Sequence, residues 1–375
     1  MFKKNLDNEL SAMIGDNGTK VLGLGVIAFK NAREIYSYFG GRRHINPDKK
    51  MTRTTLLRAA SVSKMFTVFS IMQLVEQGKI NLHDDASKYL GFELRNPNFP
   101  AAPITLEMLA CHTSSLVDGE SYSLPPKNFS ATEPGKFFRY CNLNYGILGT
   151  IIERVTGERF DIYQQNHILK QLEISGGYVV SNFDAKTFNR LGTIYRANAA
   201  QIDDYKFRPR SNLSRYKIGT NATIFAPQGG LRLSFEDLGK TLQMLMNRGE
   251  FNGRRVLSEK SFDAIISPHW IYDGTNGDTY GGVMENYGLG TYKIDGASRA
   301  RLCKDFEVDL IGHSGEAYGL ISGLYFIPNT RDGVIFMING TAIDVDDERS
   351  RGEFSGGYIW EENVMNPVCR FLVDD

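Results

Sequence analysis

The sequence lacks a net charge and lacks any long apolar run. Its 375 residues include 43 basic and 43 acidic side chains, so the formal net charge at pH 7 is zero. This balance removes the whole-molecule attraction that draws a protein to nucleic acid or to an anionic membrane. Apolar runs such as residues 21–29 are too short to cross a bilayer. We therefore expect a small molecule or a short peptide as partner, with no nucleic acid and no membrane span, while the oligomeric state stays open.

Signals for secretion and for metal binding are also missing. The charged start at residues 1–10 is not followed by the apolar stretch of about 7–15 residues that a secretory leader has. We expect a cytoplasmic protein on this basis, or a periplasmic or extracellular one if a leader was removed. The cysteines show no Cys-x-x-Cys pair and no metal-ligand spacing against the histidines. We predict no metal site and only free thiols, at Cys111, Cys141, Cys303 and Cys369.

Strand patterns are present near both ends of the chain. Residues 19–29 and 34–39 read as two strands joined by a polar turn, which predicts a hairpin. Residues 321–327 and 333–338 are apolar runs rich in β-branched and aromatic side chains. Together they indicate a sheet that is built from both ends of the chain.

Helical patterns occupy the middle and the end. The apolar positions of residues 65–78 have helical spacing and are closed by a glycine, which makes this the clearest helix. Residues 85–215 combine short helical stretches with long polar connections, and residues 356–372 predict a closing helix. The order of patterns is strands, a mostly helical insertion, more strands and a helix.

Ser61 and Lys64 lie at the start of the clearest helix. Residues three apart on a helix are neighbours, so the Lys64 amine can approach the Ser61 hydroxyl. The helix start supplies backbone N–H groups and a positive dipole end, and apolar surroundings lower the pKa of a lysine. The pattern therefore indicates a nucleophile with its base. The alternative is a helix cap followed by a solvated lysine, because Ser214 and Lys217 have the same spacing in an ordinary polar stretch.

Two further patterns carry polar groups suited to acyl transfer. Tyr140 and Asn142 precede a helical run, where the phenol can carry a proton and the amide can bind a substrate carbonyl. The alternative is a capping asparagine beside a packed aromatic ring. His313, Ser314 and Gly315 precede an apolar strand, where small residues allow a substrate backbone to approach and a strand N–H can complete an oxyanion hole.

In this order, the three patterns resemble the signature elements of the serine β-lactamase and penicillin-binding-protein superfamily. The most similar branch is the class C-like one, which includes class C β-lactamases, D-alanyl-D-alanine carboxypeptidases, D-aminopeptidases and esterases. Supporting stretches lie at residues 56–64, 109–116, 140–157, 226–234 and 312–328.

The resemblance implies an α+β fold in which an antiparallel sheet is flanked by helices and carries a mostly helical insertion lobe. It implies an α/β lobe of residues 1–84 plus 216–375 and a mostly helical lobe of residues 85–215, with the active site between them. It also implies a serine hydrolase that works through an acyl-enzyme and needs no metal or organic cofactor.

The resemblance assigns a role to each motif residue. Ser61 matches the nucleophile, Lys64 its partner base and Tyr140 the proton shuttle. The backbone N–H groups of Ser61 and Glu316 match the oxyanion hole. The positions that match substrate-binding residues are Asn142, His313, Ser314 and Gly315.

Two positions depart from the family pattern and bear on the substrate. His313 stands where β-lactamases of this branch carry a lysine, and a histidine is largely neutral at pH 7. Ser115 stands where the family usually has glycine. We therefore expect a peptidase for D-amino-acid peptides, of the carboxypeptidase or D-aminopeptidase type. A carboxylesterase is the alternative, a β-lactamase is disfavoured, and a non-catalytic acylated sensor is the alternative of another class.

Overall fold

Strands from both ends of the chain form one large sheet in the computed structural model, which describes residues 2–374. The strands are β1 (Val21–Lys30), β2 (Arg33–His44), β3 (Lys49–Lys50), β4 (Leu56–Arg58), β5 (Ile194–Arg196), β6 (Ala199–Ile202), β7 (Arg232–Ser234), β8 (Glu250–Phe251), β9 (Arg254–Arg255), β10 (Trp270–Ile271), β11 (Asn286–Tyr287), β12 (Tyr292–Ile294), β13 (Leu310–Ala317), β14 (Leu320–Phe326) and β15 (Gly333–Thr341). The helices are α1 (Phe2–Ala12), α2 (Ser63–Glu76), α3 (Ser87–Leu90), α4 (Leu106–Ala110), α5 (Leu143–Thr156), α6 (Phe160–Tyr163), α7 (Ala185–Phe188), α8 (Phe235–Met246), α9 (Glu259–Ile266) and α10 (Ile359–Asp374).

The order of the main sheet is β10-β11-β12-β13-β14-β15-β1-β2-β3, and neighbours on this path are antiparallel. The pairing of β1 with β15 joins the two chain ends, from Val21 opposite Thr341 to Phe29 opposite Gly333. The predicted α+β fold with an antiparallel sheet is confirmed. The short strands β5 and β6 come from the segment expected to be mostly helical, and β5 pairs in parallel with β15.

Helix α2 is buried along most of its length. Residues 63–74 are all buried, including the polar Ser63, Lys64 and Thr67. A helix that is apolar on every side must be covered on every side, and α5 and α9 both pack on it. The predicted helix is confirmed, and it places its first turn, with Lys64, inside the protein.

Helices α8, α1 and α10 pack on the sheet. Phe235 of α8 contacts Phe39, with ring centroids 5.2 Å apart. Helix α10 is the predicted closing helix, and the Trp360 indole N–H donates a 2.8 Å hydrogen bond to the Thr19 carbonyl. Helix α1 contacts α10 and is missing from the sequence prediction. Within residues 2–374, none of the helices combines the length and the apolar character that a membrane crossing requires.

One cysteine prediction is wrong. Cys303 and Cys369 form a disulfide, with Cα atoms 5.9 Å apart, whereas Cys111 and Cys141 are free and buried. The two bonded residues are 66 positions apart, so only the packing of α10 beside the loop before β13 brings them together. In the described part of the chain, no group of three or more His, Cys, Asp or Glu side chains is placed to hold a metal.

Candidate active site

Ser61 lies on a tight turn at the start of α2. The 3-10 turn Ala60–Val62 precedes the helix, and Ala60 has a left-handed backbone with φ of +46°. That conformation is unfavourable for a residue with a Cβ and is held by its surroundings. One such contact is the 2.8 Å hydrogen bond that the Ser322 hydroxyl donates to the Ala59 carbonyl. The turn therefore rests on the sheet and presents Ser61 at its edge.

The Lys64 side chain is fully buried beside Ser61. Its Nζ lies 3.0 Å from Ser61 Oγ, 2.8 Å from Asn142 Oδ1 and 3.0 Å from the Gln228 carbonyl oxygen. Burial lowers the pKa of Lys64 to about 7, while the charge of Asp118 acts in the opposite direction. A neutral amine has two N–H groups and one lone pair. Its two N–H groups can donate to Asn142 Oδ1 and to the Gln228 carbonyl oxygen. In the neutral form, the lone pair is therefore left for the Ser61 hydroxyl.

Tyr140 and Asn142 join this pair from the loop that leads into α5. The Tyr140 ring centroid lies 4.6 Å from Lys64 Nζ, and the phenol is partly open to solvent. Burial raises the pKa of the Tyr140 phenol well above its usual value, so the phenol is protonated at neutral pH, and its interaction with Ser61 acts in the opposite direction. His112 also packs against the Tyr140 ring, at a centroid distance of 4.3 Å. The structure thus brings both predicted side chains to Ser61.

Asp118 is a residue of this site that the sequence motifs do not reveal. Its carboxylate accepts hydrogen bonds from the backbone N–H groups of Asn142 and Leu143 at 2.9 and 3.0 Å. It also accepts one from the Asn142 side-chain amide at 3.0 Å. Because this bond holds the amide nitrogen, the amide oxygen faces Lys64. The one available signal is an acidic residue upstream of a helix that has no capping side chain of its own.

We expect Asp118→Asn to weaken the fold slightly and to lower the pKa of Lys64. The loss of a charged cap at the start of α5 should reduce the free energy of unfolding by about 1 kcal/mol. Loss of the negative charge removes an influence that raises the Lys64 pKa, so the acidic limb of the activity profile should move to lower pH. Thermal unfolding and the pH dependence of kcat/KM measure the two effects. Glu120→Gln removes the same charge from an exposed position, and an Asp118→Asn profile like that control contradicts the assignment.

The third motif lies on β13 with its polar groups facing buried tyrosines. His313 is buried, and its Nε2 lies 3.0 Å from the Tyr287 hydroxyl. Burial lowers the pKa of His313 to about 3, with a further contribution from Lys64, so this imidazole is neutral at pH 7. The Tyr292 hydroxyl donates a 2.8 Å hydrogen bond to Ser314 Oγ. Neither tyrosine belongs to a motif, and both hold the motif in place.

Gly315 leaves the space around the backbone of Ser61 open. A Cβ at this position would lie 2.8 Å from the Ser61 nitrogen, 2.8 Å from the Ala59 oxygen and 2.6 Å from Ser322 Oγ. These separations are shorter than real Cβ contacts, and the first would fill the space that an oxyanion needs in front of the Ser61 N–H.

Gly315→Ala is expected to lower kcat/KM by about 10²-fold, the typical cost of losing one oxyanion-hole donor. Steady-state kinetics measure this, with a thermal scan to follow folding. Gly229→Ala is the matched control, because its Cβ would meet Ala60 at an ordinary 3.7 Å. Equal activity of the two variants would show that the space beside Ser61 is not used.

All the predicted site residues except Lys64 line one cavity of about 410 Å³. The cavity wall from β13 and from the loop before α5 surrounds the Ser61 side chain, and Lys64 lies beneath it. The predicted residues in the wall are Ser61, Tyr140, Asn142, His313, Ser314, Gly315 and Glu316. In contrast, Ser214 lies on the 3-10 turn Leu213–Arg215 and Lys217 follows this turn, and both residues are exposed and outside the cavity.

Comparison with known proteins agrees with this arrangement of motifs. A sequence model described as Beta-lactamase matches residues 10–354. The chain belongs to the β-lactamase family. The match includes Ser61, Tyr140 and the whole of β13, and it ends before α10.

Two curated relatives of this β-lactamase-family protein match it in part. Protein flp of Staphylococcus aureus (strain MRSA252) is 30% identical over 212 residues, which cover 52% of this chain and 42% of flp. The N-acetylmuramyl-L-alanine amidase of Bacillus subtilis (strain 168) is 23% identical over 286 residues, which cover 66% of this chain and 64% of the amidase. The chain thus spans less than two thirds of the length of either relative.

A solved structure supports the family fold. The octameric penicillin-binding protein homologue from Pyrococcus abyssi superposes with a TM-score of 0.66 at 22% identity, over 91% of this chain and 73% of that chain. At this identity, the likeness concerns the fold of the β-lactamase-family protein.

Proposed function

We propose that the protein is a serine hydrolase that cleaves an amide or ester bond through an acyl-enzyme on Ser61. The observation that carries the proposal is the contact of 3.0 Å between Ser61 Oγ and a fully buried lysine amine whose other neighbours are carbonyl-type acceptors. Since burial lowers the pKa of Lys64 to about 7, much of this amine is neutral at neutral pH and can accept a proton.

The reaction divides into two proton transfers around one nucleophile. Lys64 accepts the hydroxyl proton as Ser61 Oγ attacks the carbonyl carbon, and the backbone N–H groups of Ser61 and Glu316 bind the oxyanion. Tyr140 then protonates the leaving group while the acyl-enzyme forms. In deacylation, the Tyr140 phenolate accepts a proton from the attacking water, and Lys64 returns its proton to Ser61 Oγ as the acyl group leaves. Asn142, His313, Ser314 and Gly315 bind the substrate.

The site divides between the two lobes proposed for the chain. Ser61, Lys64 and β13 belong to residues 1–84 plus 216–375, whereas Tyr140 and Asn142 belong to residues 85–215. Strands β5 and β6 are an exception, because they lie in the second range and pair with the main sheet. A cleft between lobes of this kind admits a small acyl substrate from solvent.

A D-amino-acid peptide is the substrate class that we propose, of the carboxypeptidase or D-aminopeptidase type. The amidase relative supports cleavage of amide bonds, and the neutral His313 leaves this position without the cation that suits a β-lactam carboxylate. A carboxylesterase of the same family is the second candidate, because an activated serine also cleaves simple esters.

A substrate screen tests the reaction and the substrate class together. The probes are a short-chain nitrophenyl ester, a chromogenic cephalosporin, and D-alanine-terminated and D-aminoacyl peptides, with Ser61→Ala as blank. Turnover of a peptide supports the proposal, and turnover of the ester alone favours the esterase. Intact mass separates an enzyme from an acylated sensor, because only a sensor keeps a stable adduct on Ser61.

The disulfide bears on the compartment. Disulfides persist mainly in oxidising environments, so the Cys303–Cys369 bond favours a periplasmic or extracellular location over the cytoplasmic one expected from the sequence. Intact mass of the native protein before and after reduction tests this proposal. A bond that is present only after oxidation in vitro would contradict it.

A further inference from the structure

Glu361 is a buried carboxyl group in the wall of the active-site cavity. It lies in the first turn of α10, its side chain is 4% exposed, and it lines the same cavity as Ser61, His313 and Ser314. Its Oε2 accepts a 3.0 Å hydrogen bond from the Tyr358 backbone N–H. That bond is the usual helix-capping contact of a glutamate and occupies one oxygen.

Capping does not explain why this carboxyl group is buried without a cation. Buried carboxylates in proteins are normally paired, yet no lysine, arginine or histidine of the described chain forms an ion pair with Glu361. Burial raises the pKa of Glu361 to about 7, the adjacent Glu362 acts in the same direction, and the Tyr358 N–H and the Ser314 hydroxyl act against it. The cavity is the open side from which a positive partner can come.

The charges around Glu361 favour a cation at this end of the cavity. His313 is neutral, and the Glu316 side chain, which lines the same cavity, is only weakly paired with Arg196 at 3.9 Å. Arg351 also lines the cavity, but its side chain is exposed. In its ionised form, Glu361 would repel a substrate carboxylate and attract an ammonium group.

The position of Glu361 is fixed by the segment around it. Both carboxylate oxygens of Glu362 accept backbone N–H groups of residues 353–355, at 2.6 to 3.1 Å, which orders the loop before α10. The disulfide between Cys303 and Cys369 ties the same helix to the loop before β13. Since the family match ends at residue 354, Glu361 lies in a part of the chain that the family pattern does not cover.

We propose that Glu361 is a specificity-determining residue that binds a free primary ammonium group on the acyl portion of the substrate. The substrate class is then D-aminoacyl amides and peptides with an unblocked amino terminus. This inference rests on the proposed acyl-enzyme function of Ser61 and selects the aminopeptidase type within it.

A matched pair of anilides tests the inference. D-alanine p-nitroanilide carries the ammonium group, and N-acetyl-D-alanine p-nitroanilide has the same leaving group but no charge. We expect the wild-type protein to prefer the free amine by at least about tenfold in kcat/KM, the effect of one attractive charge pair. Glu361→Gln should lose this preference through a higher KM for the free amine only. Glu348→Gln removes the same charge from an exposed position and should change neither substrate.

Other outcomes overturn the inference in distinguishable ways. An equal loss of activity toward both anilides in Glu361→Gln would assign the residue to packing alone. The wild-type preference is measured without any variant, so its absence overturns the ammonium site even if Glu361→Gln does not fold. If the acetylated anilide or a simple ester is still cleaved in a Ser61-dependent manner, the proposed function stands. If Ser61-dependent turnover is absent throughout, both proposals fail.

Discussion

Ser61→Ala is expected to abolish turnover and to leave the fold intact. Removal of a serine nucleophile typically costs about 10⁶-fold in kcat, so kcat/KM should fall by at least about 10⁴-fold with any substrate that the wild-type protein cleaves. The fold should persist because the Ser61 side chain is partly exposed to the cavity and its hydroxyl contacts Lys64, not the backbone of the turn. Steady-state kinetics and a thermal scan of the same preparation measure both expectations.

Ser214→Ala is the matched control for this substitution. Ser214 has the same spacing to Lys217 as Ser61 has to Lys64, but it lies on an exposed turn outside the cavity. The control should keep full activity. Residual activity above about 1% in Ser61→Ala, far more than a missing nucleophile permits, would place the nucleophile elsewhere.

Lys64→Met is expected to lower kcat by about 10³-fold, within the usual contribution of a general base. Methionine has a similar length and suits a fully buried site, so packing should largely persist. In the wild-type protein, Lys64 must lose a proton to act, so kcat/KM should rise with pH through about 7, the pKa of the buried amine. Lys64→Met should lose this acidic limb together with the activity. Measurement of kcat/KM from pH 5 to pH 9, roughly two units either side of the Lys64 pKa, checks both.

Two variants keep this interpretation specific to Lys64. Lys217→Met removes an equivalent lysine from the exposed turn and should have no effect. Glu361 titrates near the same pH, so the profile is measured with an N-acetylated substrate, which Glu361 is not proposed to bind through a charge. With that substrate, Glu361→Gln, which retains Lys64, should keep the acidic limb of the profile. An activity of Lys64→Met within about tenfold of wild type, less than a general base contributes, or loss of the limb in Glu361→Gln, would assign the base to another group.

Local geometry explains which parts of the site could be predicted. Ser61 and Lys64 are predicted to be in contact because residues three apart at a helix start are neighbours. The strand patterns likewise predict the β1–β2 hairpin. The β-branched runs at residues 321–327 and 333–338 likewise become β14 and β15. In each case, the information lies within a few consecutive residues.

Contacts between distant residues explain what the sequence patterns could not show. The Gln228 carbonyl reaches Lys64 across 164 positions, and the Asp118 carboxylate reaches Asn142 across 24. The Cys303–Cys369 bond likewise depends on tertiary packing. Ser115 adopts a φ of +65°, the left-handed conformation that explains why glycine is usual there. No local sequence pattern indicates that Ser115 adopts this left-handed conformation.

The pairing of β1 with β15 has a consequence for the biosynthesis of the protein. Ser61, the proposed nucleophile, is synthesised well before β13, which carries His313, and before β15, which pairs with β1. Long-range strand pairs of this kind give a high contact order and slow folding. A nascent chain that already contains Ser61 therefore still lacks His313, Ser314 and Gly315. The edge of β1 that pairs with β15 stays unpaired until about 300 further residues have been synthesised. The proposed catalytic centre is therefore incomplete until β13 and β15 have left the ribosome.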